Sequence, residues 1–406
     1  MEPDRRCAHC GQTIPWGEIE CPHCSEHHTY FWALRRETFN LLVLTLLILF
    51  FVITGIVVRG YQRMEKRIAE DWNRRGEAEL TAARPAAALT DFRNAVFHAR
   101  DNALYQLRLA QALAETGQFQ QAKNYLLALR ESDPGSGPVN LELARLAVRE
   151  RSIPDALRYF HDAVYCEWAG DPVAMRRAVR LELVKFLLDS DERTTARAEL
   201  VAVAANLPPD PSMQTHVGTL LVKAGDYDDA LRLFRQALAE EPHSAPALAG
   251  AGECYFQTGD YAQAQRYLER ALLADPHLTS AAETLETTRA VLNLNPFTRR
   301  LEQQERARRA TQAFDLATQR LEACAARRGI DLKVAGGNPL QSLQAEVTGM
   351  QPRIRMSAFH RDPALLFNIM DVVFEIEKAA AQSCGEPQGQ DLALLIIAKQ
   401  QEGGKP

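Results

Sequence analysis

The chain has 406 residues, of which 24% are charged, and its formal net charge is -5 at pH 7. A small net charge, with acidic and basic residues interspersed, argues against a protein built chiefly to bind nucleic acid. The length predicts two or three domains, and the lack of alternating Val, Ile and Thr segments predicts no sizeable sheet.

Two CxxC pairs stand near the N-terminus, Cys7 with Cys10 and Cys21 with Cys24. Pairs at this separation let four thiolates converge on one ion, and soft sulfur ligands favour zinc. A segment this small has no apolar core, so metal ligation would supply most of its folding energy. The spacing predicts a zinc ribbon over residues 1–30 that holds one structural zinc ion.

Haem attachment and disulfides are the two other interpretations of these cysteines. Haem attachment requires CxxCH, but Gly11 and Ser25 follow the two pairs. Two disulfides remain the alternative if the segment faces an oxidising compartment. The segment resembles the small N-terminal zinc ribbons of many bacterial membrane proteins, in which the metal is structural.

An uninterrupted apolar run extends from Leu41 to Val58. At about 1.5 Å of rise per residue it roughly matches a hydrocarbon core of about 30 Å. A buried core helix would show a polar stripe, and a signal peptide would start earlier and offer a cleavage site. The run predicts a single transmembrane helix over residues 38–58.

The sidedness signals conflict. Basic residues after the span favour cytoplasmic repeats by the positive-inside rule: Arg59, Arg63, Lys66, Arg67, Arg74 and Arg75. A ribbon of reduced thiolates favours the opposite arrangement, because reduced thiols belong in the cytosol. We favour a bacterial inner-membrane protein with a cytoplasmic ribbon and extracytoplasmic repeats.

A 34-residue period runs from Ala69 to Leu278. Pro211–Ser244 and Ala245–Leu278 abut and match at seven positions: Gly218/Gly252, Gly225/Gly259, Tyr227/Tyr261, Ala230/Ala264, Phe234/Leu268, Ala237/Ala271 and Pro242/Pro276. Over about half its length the chain resembles tetratricopeptide repeat proteins. The resemblance implies an all-α superhelix, an α-solenoid of about six helical hairpins over residues 69–278. The fourth hairpin, Arg177–Asp210, is the weakest and needs an insertion at Asp171–Arg176 to stay in phase.

The same resemblance implies that the first helix of each repeat lines a concave groove. Carried over by register, the inward positions are Arg145, Arg149, Lys185, Lys223, Glu253 and Phe256. A groove that is basic in its middle suits an acidic peptide or a terminal carboxylate. The Lys/Asn clamp that binds chaperone tails is not reproduced.

Residues 279–328 are predicted to form two helices. Ser280–Leu294 resembles the capping helix that closes such superhelices with a polar outer face. Phe297–Arg328 has a single apolar stripe and a basic first half: Arg299, Arg300, Arg306, Arg308 and Arg309. The interpretations for the arginines are a solvated helix face or a surface for an acidic partner or lipid headgroup.

A C-terminal helical module is predicted over residues 338–401. Asp362 and Pro363 start an apolar helix that Gly385 ends, and Leu392–Ala398 offers a matching apolar face. The pair either folds onto the end of the superhelix or forms a homodimer seam.

The sequence shows no catalytic constellation with adequate context: GxSxG, HExxH, phosphate-loop and dinucleotide fingerprints are missing. We therefore expect a non-enzymatic, membrane-anchored scaffold or adaptor that assembles envelope protein complexes. The alternative is a transmembrane regulator whose cytosolic ribbon binds nucleic acid or a regulatory protein. Its nucleic-acid form is weakened by the few basic or aromatic residues in the ribbon loop, Gly11–Glu20.

Overall fold

The computed structural model describes residues 5–7, 9–15, 18, 20–24, 31–334 and 337–403. This part of the chain is helical apart from one small hairpin, as the sequence predicted. It divides into two compact units, Met1–Tyr159 and Phe160–Pro406.

The first unit contains the hairpin and the first helices. Strands β1 (Arg5–Arg6) and β2 (Thr13–Ile14) are antiparallel, with Arg5 opposite Ile14. The helices are α1 (Phe31–Thr81), α2 (Pro85–His98), α3 (Ala103–Glu115), α4 (Phe119–Ser132), α5 (Gly137–Arg149) and α6 (Ile153–Tyr165), which extends past the unit boundary.

Helix α1 is continuous over 51 residues. Its first part is the apolar run, and its last part packs against α2 as the first helix of a repeat hairpin. The sequence pattern predicted the transmembrane helix and the first helix of the repeats as two separate elements. No Pro interrupts Phe31–Thr81, and a Cβ built on Gly55 or Gly60, the two glycines near the end of the apolar run, would meet nothing within 4 Å.

The second unit continues the hairpins and adds the C-terminal helices. It contains α7 (Pro172–Asp189), α8 (Arg193–Ala204), α9 (Pro211–Ala224), α10 (Tyr227–Glu240), α11 (Ala245–Gln257), α12 (Tyr261–Ala274), α13 (Thr279–Leu294), α14 (Gln303–Arg328), α15 (Pro339–Met350), α16 (Met356–Arg361), α17 (Ala364–Cys384) and α18 (Gly389–Gly403), with a 3-10 turn at Gln351–Arg353.

Small and large residues set the spacing within and between hairpins. The fully buried ring of Phe234 on α10 lies between α9 and α11. A Cβ built on Gly218 would come within 2.8 Å of this ring, and one built on Gly250 within 2.2 Å. A Cβ built on Gly76 would likewise come within 2.6 Å of the Phe92 ring. Each glycine therefore lets two helix backbones approach at the level of one aromatic ring.

The insertion in the fourth hairpin is helical. Asp171 caps α7 by accepting from the backbone N–H groups of Val173 and Ala174, and Pro172 opens the helix. The extra residues thus lengthen α7 to 18 residues and do not form a loop.

Helix α13 is covered on the side that the sequence left polar. Helices α14 and α18 pack against it, and Ala290, Val291 and Leu294 join their core. The expected polar outer face is wrong in this respect, because Thr288 on α13 is fully buried and its hydroxyl donates to the backbone oxygen of Thr284.

The apolar stripe of α14 is confirmed, and its helix begins at Gln303 instead of Phe297. Arg309 donates from Nη1 to the backbone oxygens of Leu292 and Asn295, at 2.6 and 3.1 Å. It thereby satisfies carbonyls at the C-terminal end of α13. This basic side chain stabilises the junction within the chain and is largely withdrawn from solvent.

Helices α17 and α18 bury their apolar faces within the chain. Ile369, Val373 and Ile376 of α17 lie in one core with Leu394 and Ile397 of α18. The module thus folds onto the end of the repeat helices through α13, the first of the two arrangements expected.

Candidate functional site

The four N-terminal cysteines lie together. Their Sγ atoms are all within 4.8 Å of one another, and Cys7–Cys24 and Cys10–Cys21 are each separated by 3.5 Å. The first knuckle is shaped by Gly11, whose φ of +73° suits glycine and whose N–H donates to the backbone oxygen of Cys7.

This geometry fits a tetrahedral metal ion. Four thiolates at about 2.3 Å from zinc would place their sulfur atoms about 3.8 Å apart. Cys7 and Cys21 are buried with Ile14 in a small cluster, and Cys10 is exposed. The sulfur atoms are too far apart for disulfide bonds, so the cluster can hold a metal ion with all four ligands supplied by protein.

The apolar part of α1 is exposed along its whole length. The structure contains one helix, Thr38–Thr81, that is long and apolar enough to cross a membrane among the described residues, and none of its apolar window is buried. In the middle of the apolar run, the side chains of Phe50 and Phe51 are 62% and 70% exposed. Exposed apolar surface on this scale is typical of a site that contacts a membrane or another protein.

Polar contacts join successive first helices in the unit Met1–Tyr159. Arg108 on α3 lies 3.2 Å from Glu77 on α1, and Gln111 on α3 donates to Glu142 on α5 over 2.9 Å. Arg149 donates to the backbone oxygen of Ala114 over 2.7 Å.

We call the residues in these contacts, together with the ion pairs Arg145–Glu142 and Arg149–Glu115, the first-helix ladder. It consists of Glu77, Arg108, Gln111, Ala114, Glu115, Glu142, Arg145 and Arg149. Arg145 and Arg149, which the resemblance assigns to the groove, belong to this ladder, whereas their partners Glu142 and Glu115 were not among the assigned residues.

The two predicted arginines are therefore paired. Arg145 contacts Glu142 at 2.7 Å, and the Arg149 guanidinium contacts the Glu115 carboxylate. Both side chains are partly exposed, at 44% and 38%. The pairing lowers the positive charge that the sequence assigned to this face, and Arg149 also contributes to packing between α3 and α5.

In the unit Phe160–Pro406 the predicted groove residues divide into two kinds. Lys185 on α7 and Lys223 on α9 are exposed, and neither has an ion-pair partner among the described residues. Glu253 on α11 accepts from Thr284 on α13 over 3.2 Å, while the Phe256 ring packs edge-on against Tyr261. Helices α7 and α9 contact each other, so the two free lysines lie on neighbouring first helices.

A disulfide joins Cys324 at the end of α14 to Cys384 at the end of α17. The sequence placed these cysteines in different segments and assigned them no role. Only the fold brings their Cα atoms to 5.7 Å, across 60 residues of chain. The two helices that it joins carry most of the C-terminal core.

A buried charge cluster lies beside this disulfide. Arg320 is 3.2 Å from Glu377 and 2.6 Å from Asp391. Glu377 is fully buried, and neither of its carboxylate oxygens has a hydrogen-bond partner among the described residues. Burial, reinforced by the charge of Asp391 and opposed by Arg320, raises the pKa of Glu377 to about 8.

Family models decide the nature of the hairpins. Models described as tetratricopeptide repeat match residues 221–287, 73–137 and 107–172. Residues 73–172 and 221–287 are tetratricopeptide repeats. The matches lie on both sides of the weak fourth hairpin and leave the ribbon, the apolar segment and the C-terminal module outside.

Several solved structures are similar to parts of the chain at low sequence identity. YrrB, described as having an unusual peptide-binding site, is 18% identical and covers 47% of this chain and 95% of its own, with a TM-score of 0.38. The type IV pilus biogenesis factor PilW is 17% identical and covers 54% and 97%, with a TM-score of 0.40. A repeat protein from Parabacteroides merdae is 14% identical and covers 61% and 92%, with a TM-score of 0.38. No curated protein matches the chain.

Proposed function

We propose that this protein is a non-enzymatic scaffold anchored in a bacterial inner membrane by residues 38–58, with its tetratricopeptide repeats outside the cytoplasm. The ribbon of residues 1–30 would hold one structural zinc ion in the cytoplasm. The repeats would gather protein or peptide partners for assembly of envelope complexes.

The state of the cysteines on the two sides of the apolar segment carries this proposal. Before the segment, four cysteine sulfurs that are not in disulfides lie within 4.8 Å of one another, as a metal site requires. After it, Cys324 and Cys384 form a disulfide. Thiolates persist in the reducing cytosol and structural disulfides in oxidising compartments, so one membrane crossing between them accounts for both. The exposed apolar surface of α1 supports the same crossing.

The partner-binding surface is proposed to be the inner face of the first helices. Lys185 and Lys223 are its most available charges, because Arg145 and Arg149 are already paired. Two exposed ammonium groups on neighbouring helices suit an acidic peptide or a terminal carboxylate, each charge-assisted hydrogen bond adding orientation as well as affinity.

Sidedness tests the proposal most directly. Alkaline phosphatase, which is active only where its own disulfides form, would be fused after Pro406 in an expressing bacterium. We expect an active fusion that added protease digests in spheroplasts, together with about one zinc per chain that is lost in Cys21→Ser. An inactive, protected fusion would place the repeats in the cytoplasm and reject the proposed arrangement.

A further inference from the structure

The α2–α3 turn returns towards the apolar end of α1. Helix α2 runs antiparallel to α1, since Phe92 packs on Gly76 while His98 at the end of α2 contacts Glu65. Glu65 follows Val58, the last residue of the apolar run, by seven positions, which corresponds to about 10 Å of helix. The turn after His98 is therefore held close to the level at which α1 becomes apolar.

A short polar contact holds the α2–α3 turn in this position. His98 Nδ1 and Glu65 Oε2 are 2.6 Å apart, and both side chains are about a quarter exposed, at 24% and 23%. The hydrogen bond with His98, followed by one with Tyr61, lowers the pKa of Glu65. The carboxylate thus stays ionised and keeps the end of α2 against α1.

Large apolar side chains on this turn face away from the protein. Phe97, near the end of α2, is 67% exposed, and Leu104, near the start of α3, is 50% exposed, whereas Leu89 and Phe92 of α2 and Leu107 of α3 are buried. The Arg100 guanidinium lies 5.9 Å from the centre of the Phe97 ring and is itself exposed. We call Phe97, Arg100 and Leu104 the turn patch.

The neighbouring surface of α1 has the same character. Tyr61 and Met64 are 63% and 59% exposed, and Arg59, Arg63, Lys66 and Arg67 are exposed around them. Aromatic and apolar groups beside basic groups suit the headgroup layer, in which rings insert below the phosphates and cations pair with them. That layer extends about 5–8 Å beyond the hydrocarbon core, close to the level of the turn.

We infer that the turn patch docks on the phospholipid headgroup layer of the same membrane that α1 crosses, so that the first repeat hairpin is fixed to the membrane surface at two points. The inference rests on the membrane span of the proposed function. The occupant is lipid and not a second protein, because the patch is adjacent in structure to the apolar segment, and because Arg100 and the basic residues of α1 beside it are complementary to anionic headgroups.

This docking also gives the basic cluster after the span a role of its own. Arg59, Arg63, Lys66 and Arg67 would bind headgroup phosphates together with Arg100. Their presence would then reflect contact with lipid and would carry less information about which side of the membrane the repeats occupy.

Photocrosslinking in the full chain tests the inference. Phe97 would be replaced by p-benzoylphenylalanine, and the protein reconstituted in nanodiscs of phosphatidylethanolamine and phosphatidylglycerol. After irradiation, intact mass measurement would detect a covalently attached phospholipid. Leu104 provides a second site, and Ala82, exposed at the far end of α1 and about 36 Å beyond Val58 by helix rise, provides the matched control.

We expect several-fold more lipid adduct at positions 97 and 104 than at 82, and a several-fold decrease at 97 when Arg100→Glu reverses the charge of the patch. The probe at Phe51, inside the apolar run, reports the span separately. Adduct at 51 but none at 97 or 104 would overturn the docking and leave the anchor intact. Attachment of a protein at 97 would overturn it in favour of a protein interface, and no adduct at 51 would reject the span and the docking together.

Discussion

Phe234 shows how single residues determine the spacing of the repeats. Its ring occupies the space that the missing side chains of Gly218 and Gly250 leave on the two neighbouring helices. The 34-residue register identified Gly218 as a matching position but did not single out Gly250, which has no counterpart in the preceding copy. The sequence pattern reports contacts within a hairpin better than contacts between hairpins, because the latter also depend on how neighbouring hairpins stack.

Gly250→Ala is expected to destabilise the repeats. The new Cβ would lie 2.2 Å from the Phe234 ring, which is fully buried and cannot move aside freely. Overpacking of this kind costs about 1–3 kcal/mol, more than the gain of about 1 kcal/mol from replacing a helical glycine. The measurement is the melting temperature of Gly250→Ala in thermal unfolding, which should fall below that of the parent protein. Gly349→Ala is the control, since nothing lies within 4 Å of its Cβ position, and it should raise the melting temperature. A Gly250→Ala protein as stable as the parent would contradict the packing.

Glu377 gives the C-terminal module a pH dependence of defined sign. Its pKa is raised from 4.5 to about 8 in the folded chain by burial. The pKa of Glu377 is higher in the folded chain than in the unfolded chain, so its protonated form favours folding. The contribution of Glu377 to the stability of the module is therefore greatest below about pH 4.5 and is lost as the pH rises to about 8. Glu377→Gln should remove most of this slope in urea denaturation followed across that range. Asp371→Asn, on the exposed side of the same helix, should keep it.

At the scale of helices, the sequence predicted α14 and α17 from their apolar stripes and from the stop at Gly385. It did not predict α15 or α16, since these short helices carry few periodic apolar positions and their buried residues, Leu340, Leu343, Val347 and Phe359, acquire meaning only against α14 and α17. The same limit applies to the disulfide. Two cysteines 60 residues apart indicate nothing until the helices that bear them are adjacent.

The Cys324–Cys384 disulfide is expected to stabilise the module that α14 and α17 form. Closing a loop of this length reduces the entropy of the unfolded chain by an amount equivalent to about 4 kcal/mol, an upper value if the reduced chain retains structure. The doubly substituted Cys324→Ser, Cys384→Ser protein should melt at a lower temperature than the oxidised parent.

Dithiothreitol should lower the melting temperature of the parent to that of the double variant and leave the variant unchanged. Cys166→Ser, which leaves the disulfide intact, serves as the control. Equal melting temperatures for the oxidised parent and the double variant would show that the bond contributes nothing to stability.

For the whole molecule, the chain order places chemically different environments on the two sides of one apolar segment: a thiol cluster before it, and the repeats and a disulfide after it. The order of the thiol cluster, the apolar segment and the repeats follows from spacing and composition in the sequence alone, whereas the disulfide does not. The availability of the predicted groove charges does not, because Arg149 contacts Ala114 and Glu115 of another helix, whereas Lys223 has no ion-pair partner among the residues that the structure describes. Partner binding should therefore depend on the lysines.

Exchange of Lys185 and Lys223 for glutamate should reduce capture of envelope partners by at least about tenfold, since each lost charge-assisted contact contributes roughly 1.5–3 kcal/mol. The measurement is in-cell chemical crosslinking followed by quantitative mass spectrometry of the purified chain. Because both side chains are exposed, thermal stability should change little.

A charge-matched control exchanges Arg266 on α12, a second helix of its hairpin, and Lys333 in the loop after α14, both also exposed. Partner capture should be lost when Lys185 and Lys223 are exchanged and retained when Arg266 and Lys333 are exchanged. If capture survives the lysine exchange, or falls equally in the control, the partner surface lies elsewhere than on the first helices.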